Sequence, residues 1–150
     1  MHKEPVMQLR AAQANDLELT YAITKDAMKA YIEQTWGRWD EAEQITKHAD
    51  NFTPQTHRII LVGDAAVGLV AVEDFPTYVW LVKLYLLATH RGAGIGSQVL
   101  QGVIDAARAQ GKPVQLRVLK VNALAQALYA RHGFKVIEES PERFLMQTAA

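Results

Sequence analysis

Residues 78–111, YVWLVKLYLLATHRGAGIGSQVLQGVIDAARAQG, decide the fold of this chain. An apolar run from Tyr78 to Leu87 passes through Ala-Thr-His into Arg91-Gly92-Ala93-Gly94-Ile95-Gly96, and a helical pattern continues to Gln110. A strand that feeds through a glycine-rich turn into a helix N-terminus makes an anion site, because unpaired helix N–H groups and the positive end of the dipole converge there. A phosphorylated ligand is expected on this turn. The glycines suit one, since backbone that wraps a phosphate approaches it closely and often needs positive φ. Taken alone, they are equally consistent with a tight loop.

Outward from this stretch the elements follow in both directions. From Trp80 to Leu87 nearly every residue is apolar, as expected of a strand covered on both faces, and Lys83 is the sole charge. Upstream, Arg58 to Val62 and Val67 to Glu73 read as strands joined by a hairpin turn at Gly63-Asp64-Ala65-Ala66, and Phe75-Pro76-Thr77 turns into the central strand. Three antiparallel strands thus precede the glycine turn. Before them, Val6 to Arg10 is a short strand candidate, and Asp16 is an N-cap for a helix carrying Leu17, Tyr21, Thr24, Met28 and Ile32, closing near Gly37. A second helix begins around Asp40, with Glu43 as capping-box partner, and runs to about Phe52 before Pro54.

Downstream, the helix from Gly96 to Gln110 sets Ile95, Val99, Val103 and Ala107 on one stripe and stops at Gly111-Lys-Pro113. Val114 to Val118 alternates as a strand; Asn122 caps a helix from Ala123 to His132 that Gly133 ends. Phe134 to Glu138 and Phe144 to Met146 are the last strand candidates. No internal repeat or linker divides the chain, so one domain over residues 1–150 is expected.

Composition narrows the function. A chain of 150 residues with 49% hydrophobic content buries a real core without disulfides or metals. Its 16 basic and 16 acidic residues cancel, which gives no reason to expect a nucleic-acid groove or an anionic membrane as partner. The absence of cysteine removes thiolate zinc sites and any cysteine nucleophile, and fits a reducing compartment. Without an apolar core of signal-peptide length at Met1-His-Lys-Glu-Pro-Val or a window long enough to span a bilayer, a cytoplasmic location is expected.

Asn122 and Tyr129 are seven residues apart, so they return to nearly the same azimuth about 10 Å along the axis. An amide at the mouth of this helix and a phenol two turns deeper suit a long, thin ligand held along one wall. Between the first two helices, Tyr31, Glu33, Trp36, Trp39 and Asp40 crowd together. They read as a packed helix corner, or as one wall of a pocket for a cationic or aromatic ligand.

At these residues the sequence resembles the GCN5-related N-acetyltransferase (GNAT) superfamily. That family's signature of Gln or Arg, two free positions, Gly, one free position, then Gly or Ala stands here as Arg91-Gly92-Ala93-Gly94-Ile95-Gly96. Its second signature, Asn followed by an apolar helix with Tyr and then Gly-Phe, stands as Asn122 through Leu128-Tyr129 to Gly133-Phe134. The element order agrees over nearly the whole chain: strand, two helices, three antiparallel strands, helix, strand, helix, two strands. The resemblance implies an α/β (α+β) fold, a mixed, mostly antiparallel central sheet of about seven strands flanked by four helices.

It also implies the ligand. Acetyl-CoA would lie with its pyrophosphate on the turn formed by Arg91, Gly92, Ala93, Gly94, Ile95, Gly96 and Ser97, beside Asn122 and Tyr129. Its pantetheine arm would pair like an added strand with Leu84, Tyr85 and Leu86, where two strands splay apart. No metal is implied. Tyr129 matches the family's catalytic tyrosine and is the candidate acid for the departing thiolate, since a phenol of pKa ~10 can protonate a thiolate whose conjugate acid has pKa ~8.5. The acceptor amine must shed a proton before it attacks. The glutamate that some relatives place after the glycine-turn helix is missing, Arg117 standing in that neighbourhood. Glu73 and Glu33 are then the candidate bases, with His48 and His57 read as incidental.

The expected acceptor is a small amine or amino-acid-like molecule meeting Tyr31, Glu33, Trp36 and Trp39, the region that covers the acceptor in this family; a protein N-terminus or lysine is the alternative. A homodimer is possible, dimers being common among such proteins. A non-catalytic acyl-CoA sensor on the same fold is the competitor of another class. A dinucleotide-binding domain is the remote one, disfavoured by Ser97 at the third glycine position and by Arg117 where an acid would grip a ribose.

Overall fold

The computed structural model describes residues 7–150. In chain order these form β1 (Met7–Ala11), α1 (Leu17–Trp36), α2 (Glu41–Asn51), β2 (His57–Val62), β3 (Ala65–Asp74), β4 (Val79–Leu86), α3 (Ile95–Ala109), β5 (Val114–Leu119), α4 (Ala123–Arg131), β6 (Lys135–Glu139) and β7 (Arg143–Gln147). Val6, expected to open the first strand, lies outside the described residues. The seven strands make one sheet in the order β1-β2-β3-β4-β5-β7-β6. Every neighbouring pair is antiparallel except β4 and β5, which run parallel. This is the mixed, mostly antiparallel sheet with four helices that the resemblance implied.

The caps explain where the helices begin and end, with two departures from expectation. Asp40 starts α2 as expected, its carboxylate accepting from the Glu43 amide at 3.0 Å. The reciprocal half of that capping box is missing because the Glu43 carboxylate pairs with Lys47 instead. Asp16 does not cap α1. Its carboxylate accepts from both ends of the Arg10 guanidinium (2.8 and 2.9 Å) and from the Gln13 amide (2.8 Å), which closes a 3-10 turn ahead of the helix. A bidentate arginine fork holds a carboxylate more strongly than a single amide does.

The sheet has a core on each face. On the α3 and α4 side, Ile60, Val67, Leu81, Leu100, Ile104 and Leu116 are almost fully buried; on the α1 and α2 side, Ile23, Ile59 and Leu69 are. Each such side chain contributes about 1.5–3 kcal/mol by leaving water. The buried stripe of α1 is Thr20, Ile23 and Ala27, so Leu17 faces solvent; on α3 it is centred on Val99, Leu100 and Ile104, with Val103 at its margin.

Two irregularities shape the centre of the sheet. The β3–β4 register steps from Ala71 opposite Lys83 to Val72 opposite Leu81, leaving Val82 as an extra residue on β4. A one-residue bulge exchanges the faces of every side chain beyond it. Val79 and Leu81 accordingly pack on the α3 side, as do Leu84 and Leu86, whereas Tyr85 packs on the α1 side. Gly68 sits opposite Leu86, and a Cβ there would run into the Tyr85 carbonyl oxygen, so β3 and β4 approach this closely only over glycine.

The second irregularity is larger. β4 and β5 pair only at Val79 with Val114 and at Trp80 with Gln115. Beyond those rungs the two strands part, and the sheet opens as a wedge.

Candidate active site

The wedge is a cleft of about 870 Å³. One wall is β4 from Leu81 to Leu86 and another is β5 from Leu116 to Leu119. α1 covers one end with Thr24, Met28, Tyr31, Ile32 and Trp36, and the glycine turn with α4 frames the other.

The turn has the backbone that its sequence suggested, for differing reasons at each glycine. Gly92 and Gly94 hold φ of 82° and 83°, which a side chain rarely tolerates. Gly96 is a buried helical residue, valued for closeness: a Cβ there would stand 3.4 Å from Leu86 Cδ1 and 3.7 Å from Leu128 Cδ2. Gln98 donates the first helical bond, to the Gly94 carbonyl. The amides of Ile95, Gly96 and Ser97 are therefore left without intrahelical acceptors at the positive end of α3. Arg91, Gly92, Gly94, Gly96 and Ser97 line the cleft; Ala93 does not, and the Ile95 side chain is buried in the core. Arg91 donates to the Leu86 carbonyl at 3.2 Å and stands 3.8 Å from Asp26, whose carboxylate also accepts from the Ala88 amide.

A side-chain relay that the sequence reading missed stands behind this turn. His132 Nε2 lies 2.6 Å from Ser97 Oγ, and its Nδ1 lies 3.0 Å from Gln101 Oε1. An amide oxygen only accepts, so Nδ1 carries a proton toward Gln101, and Nε2 shares a hydrogen bond with the Ser97 hydroxyl. Ser97 and Gln101 are one helical turn apart, the one signal that the sequence offered for it.

Asn122 and Tyr129 both line the cleft, as their spacing suggested. Asn122 Oδ1 accepts from the Ala125 amide at 3.1 Å and so caps α4. Burial, reinforced by nearby Tyr85, pushes the Tyr129 phenol well above its ordinary range, so it holds its proton throughout the neutral region. Tyr85, which lines the cleft with Leu84 and Leu86, is pushed up to about 12 by burial, against the pull of the Arg143 charge.

The aromatic corner between α1 and α2 divides. Tyr31 and Trp36 line the cleft, and Arg143 stacks over Trp36 with its guanidinium carbon 5.1 Å from the ring centre, tying the end of α1 to β7. Trp39 turns the other way, its indole N–H donating to Glu41 at 2.7 Å and its ring 6.4 Å from Tyr21. Glu33 and Glu73 are exposed and contribute nothing to the lining. Glu33 is carried outward by its azimuth on α1, and Glu73 belongs to the end of the sheet where β4 and β5 are still paired.

Among the described residues the charged groups of the lining are Lys83, Arg91, Arg117, Arg131 and Arg143, without one carboxylate or histidine. A chain of zero net charge thus concentrates cations in its cleft. Lys83 was read only as a stray charge in an apolar strand; burial lowers its pKa. Two buried histidines lie on its side of the sheet. His48, brought down to about 4 by burial and by the Lys83 charge, is held neutral with Nε2 2.8 Å from Thr20 Oγ1. Burial and Lys83 lower His57 as well; its Nδ1–H donates to the Thr53 carbonyl at 2.7 Å, and Nε2 has no partner among the described residues. No group of three or more histidine or acidic residues that could hold a metal occurs among the described residues, and no described helix is long and apolar enough to cross a membrane.

Similarity to known proteins follows the same residues. The sequence model of the Acetyltransferase (GNAT) family matches residues 20–134. The L-methionine sulfoximine/L-methionine sulfone acetyltransferase of Pseudomonas aeruginosa is 30% identical over 147 aligned residues, covering 89% of this chain and 83% of its own. Among solved structures, the PaiA N-acetyltransferase of Thermoplasma acidophilum in complex with coenzyme A superposes with a TM-score of 0.77 at 16% identity, over 97% of this chain and 99% of that one. An acetyltransferase from Thermus thermophilus gives 0.77 at 18% identity, each chain covered in full.

Proposed function

The chain belongs to the acetyltransferase (GNAT) family, and from that premise we propose that it moves the acetyl group of acetyl-CoA directly to the primary amine of a small, amino-acid-like acceptor. One observation carries this reading: β4 and β5 part after two rungs, between a turn of unpaired amides and the hydroxyl-bearing face of α4. The diphosphate lies on the amides of Gly94 to Ser97 at the end of α3. The pantetheine arm enters the wedge as an added strand along β4 near Leu84 to Leu86, supplying the rungs that β5 does not. A β4 amide steadies the tetrahedral oxyanion, and the Tyr129 phenol gives its proton as the thiolate leaves. With no cysteine to carry an acyl group, transfer occurs within a ternary complex.

The acceptor class rests on the cleft's charge. A lining with Arg117, Arg131 and Arg143 and no acid among the described residues repels a polyamine and attracts a molecule whose amine is accompanied by a carboxylate or another oxyanion. The relative that acts on methionine sulfoximine and methionine sulfone agrees with that choice. Trp36 and Tyr31 supply an apolar wall for the acceptor's side chain.

Purified protein is to be mixed with acetyl-CoA and a panel of methionine sulfone, other free amino acids, amino-acid amides, spermidine and short peptides, with free thiol followed in time. Thiol release dependent on a free amino acid, with a product heavier by one acetyl group, is expected. Binding of acetyl-CoA without turnover of any amine would leave a sensor rather than an enzyme; preference for the amides or for spermidine would overturn the anionic acceptor.

A further inference from the structure

An amine acceptor arrives as an ammonium ion and must lose a proton before it attacks, yet among the described residues no aspartate, glutamate or histidine lines the cleft. The lining side chains able to exchange a proton are Lys83, Tyr31, Tyr85 and Tyr129, besides the permanently charged arginines 91, 117, 131 and 143. The register of the sheet sets Lys83 apart. His57 on β2 faces Ala71 on β3, and Ala71 faces Lys83 on β4, so lysine and imidazole stand on one face across the smallest side chain in the row. The bulge at Val82 is what puts Lys83 there, since an unbroken alternation would set it on the side of Leu81.

We propose that Lys83 is the general base of this enzyme, taking the acceptor's proton on Nζ, and that the unpartnered Nε2 of His57 receives the hydrogen bond of the resulting ammonium. This rests on the acetyl-transfer reading above. The acceptor ammonium passes one proton to neutral Lys83. The freed amine attacks the thioester carbonyl, the C–N bond forms and the C–S bond breaks. The second proton of the attacking nitrogen leaves as Tyr129 protonates the thiolate and is itself reprotonated, and Lys83 returns its proton to water at the mouth of the cleft. The products are the acetamide, coenzyme A as thiol and one proton.

The surroundings favour a neutral amine. Burial disfavours the charged form of Lys83, and no ion pair to Lys83 occurs among the described residues. The titratable groups on its face of the sheet are the neutral His57 and His48 from β2 and α2, and those that share the cleft lining with it are the protonated phenols Tyr85 and Tyr129 from β4 and α4, Tyr31 from α1, and the arginines of β5, β7, α4 and the glycine turn. His57 is a positioning residue in this scheme. Its Nδ1–H is committed to the Thr53 carbonyl, so Nε2 presents only a lone pair.

The test uses Lys83→Arg, Lys83→Met and Lys83→Ala in the full chain, with saturating acetyl-CoA. Arginine keeps the reach and the N–H donors of the side chain but cannot accept a proton. The expected result is a fall in kcat of about 10²–10⁴-fold in all three, with the acceptor KM of the arginine variant within a few fold of wild type. In the wild type, the acidic limb of kcat should stay at one pH across acceptors of different amine pKa. Trimethylamine, a base that cannot end as an acetamide, should restore turnover to Lys83→Ala. If Lys83→Arg retains kcat, or the limb follows the acceptor's own pKa, Lys83 is an anion anchor or a bystander and the proposal falls. The limb is read on the wild type, so a variant that fails to fold does not shield the idea. A wild type that binds acetyl-CoA but acetylates no amine overturns the transferase reading itself, and the base with it.

Discussion

Asn122 offers a sharp separation of architecture from chemistry. It was expected both to cap α4 and to touch the ligand; in the structure it lines the cleft, and its Oδ1 accepts from the Ala125 amide at 3.1 Å, capping the helix that carries Tyr129. Alanine at this position leaves one more amide of the first turn unpaired. Loss of such a cap costs about 0.5–2 kcal/mol. The upper half of that range applies here: α4 has nine residues, and Leu124 in its first turn is 74% exposed, so little packing holds that end. A chain of this size loses about 2–4 °C of Tm per kcal/mol, so Asn122→Ala should melt roughly 2.5–8 °C below wild type. Serine and aspartate both keep an oxygen acceptor and should return most of that loss. Aspartate also adds a negative charge beside the expected anionic cofactor, so it should restore Tm while raising the acetyl-CoA KM. Thermal unfolding by circular dichroism, paired with initial rates, reads both. An alanine variant as stable as wild type, or a serine variant as unstable as alanine, would refute the capping role.

Other positions predict distinct outcomes. Gly68→Ala pushes a methyl into the Tyr85 carbonyl, and overpacking of this kind costs about 1–3 kcal/mol; a lower denaturation midpoint at unchanged m-value is expected, and no change would mean the strands separate freely. Tyr129→Phe should lower kcat by about 10²-fold or more with acetyl-CoA KM little altered, and a KM effect alone would reduce the phenol to a packing group. His48 is neutral when folded, with a pKa of about 4 against 6.5 unfolded, so the unfolded chain binds the extra proton between those values and stability falls as pH drops from about 6.5 toward 4. The loss is at most about 1.4 kcal/mol per pH unit, and denaturant midpoints for His48→Gln should show a shallower acid slope than wild type. Trp36→Ala removes the ring under Arg143 and should raise the acceptor KM without affecting that of acetyl-CoA; equal effects on both would place Trp36 outside the acceptor wall.

The strands, the helices and the glycine turn were readable because their signals are local: alternation in Val114 to Val118, Gly37 and Gly111 just past helix ends, Asp40 ahead of α2. What was misread depends on tertiary partners. Leu17 looked like a core position by spacing, but the azimuth of α1 is set by what β3 and β4 offer it, and Thr20, Ile23 and Ala27 turned inward. Asp16 has the chemistry of an N-cap, and only the arrival of Arg10 from β1 diverts it. Glu33 and Glu73 were named as bases because an acid was sought, while the lining holds none among the described residues. Lys83 escaped notice because the face it occupies is decided by a bulge at Val82, which no residue type announces. The serine, histidine and glutamine behind the turn come from two helices far apart in sequence, and only the packing of α3 against α4 brings them together.

A sheet that splits in its interior carries four edges instead of two. The outer ones, β1 and β6, meet solvent in the ordinary way, but the inner pair, β4 and β5, expose unsatisfied rungs in the middle of the molecule. Exposed rungs ordinarily invite a foreign strand and lead to aggregation. Here they meet at the vertex formed by Trp80 and Gln115 and line an internal cleft instead of the rim of the sheet. On the cofactor reading proposed above, a slender, side-chain-free chain bearing two amide groups would take up these rungs and so close the inner edges to a foreign strand.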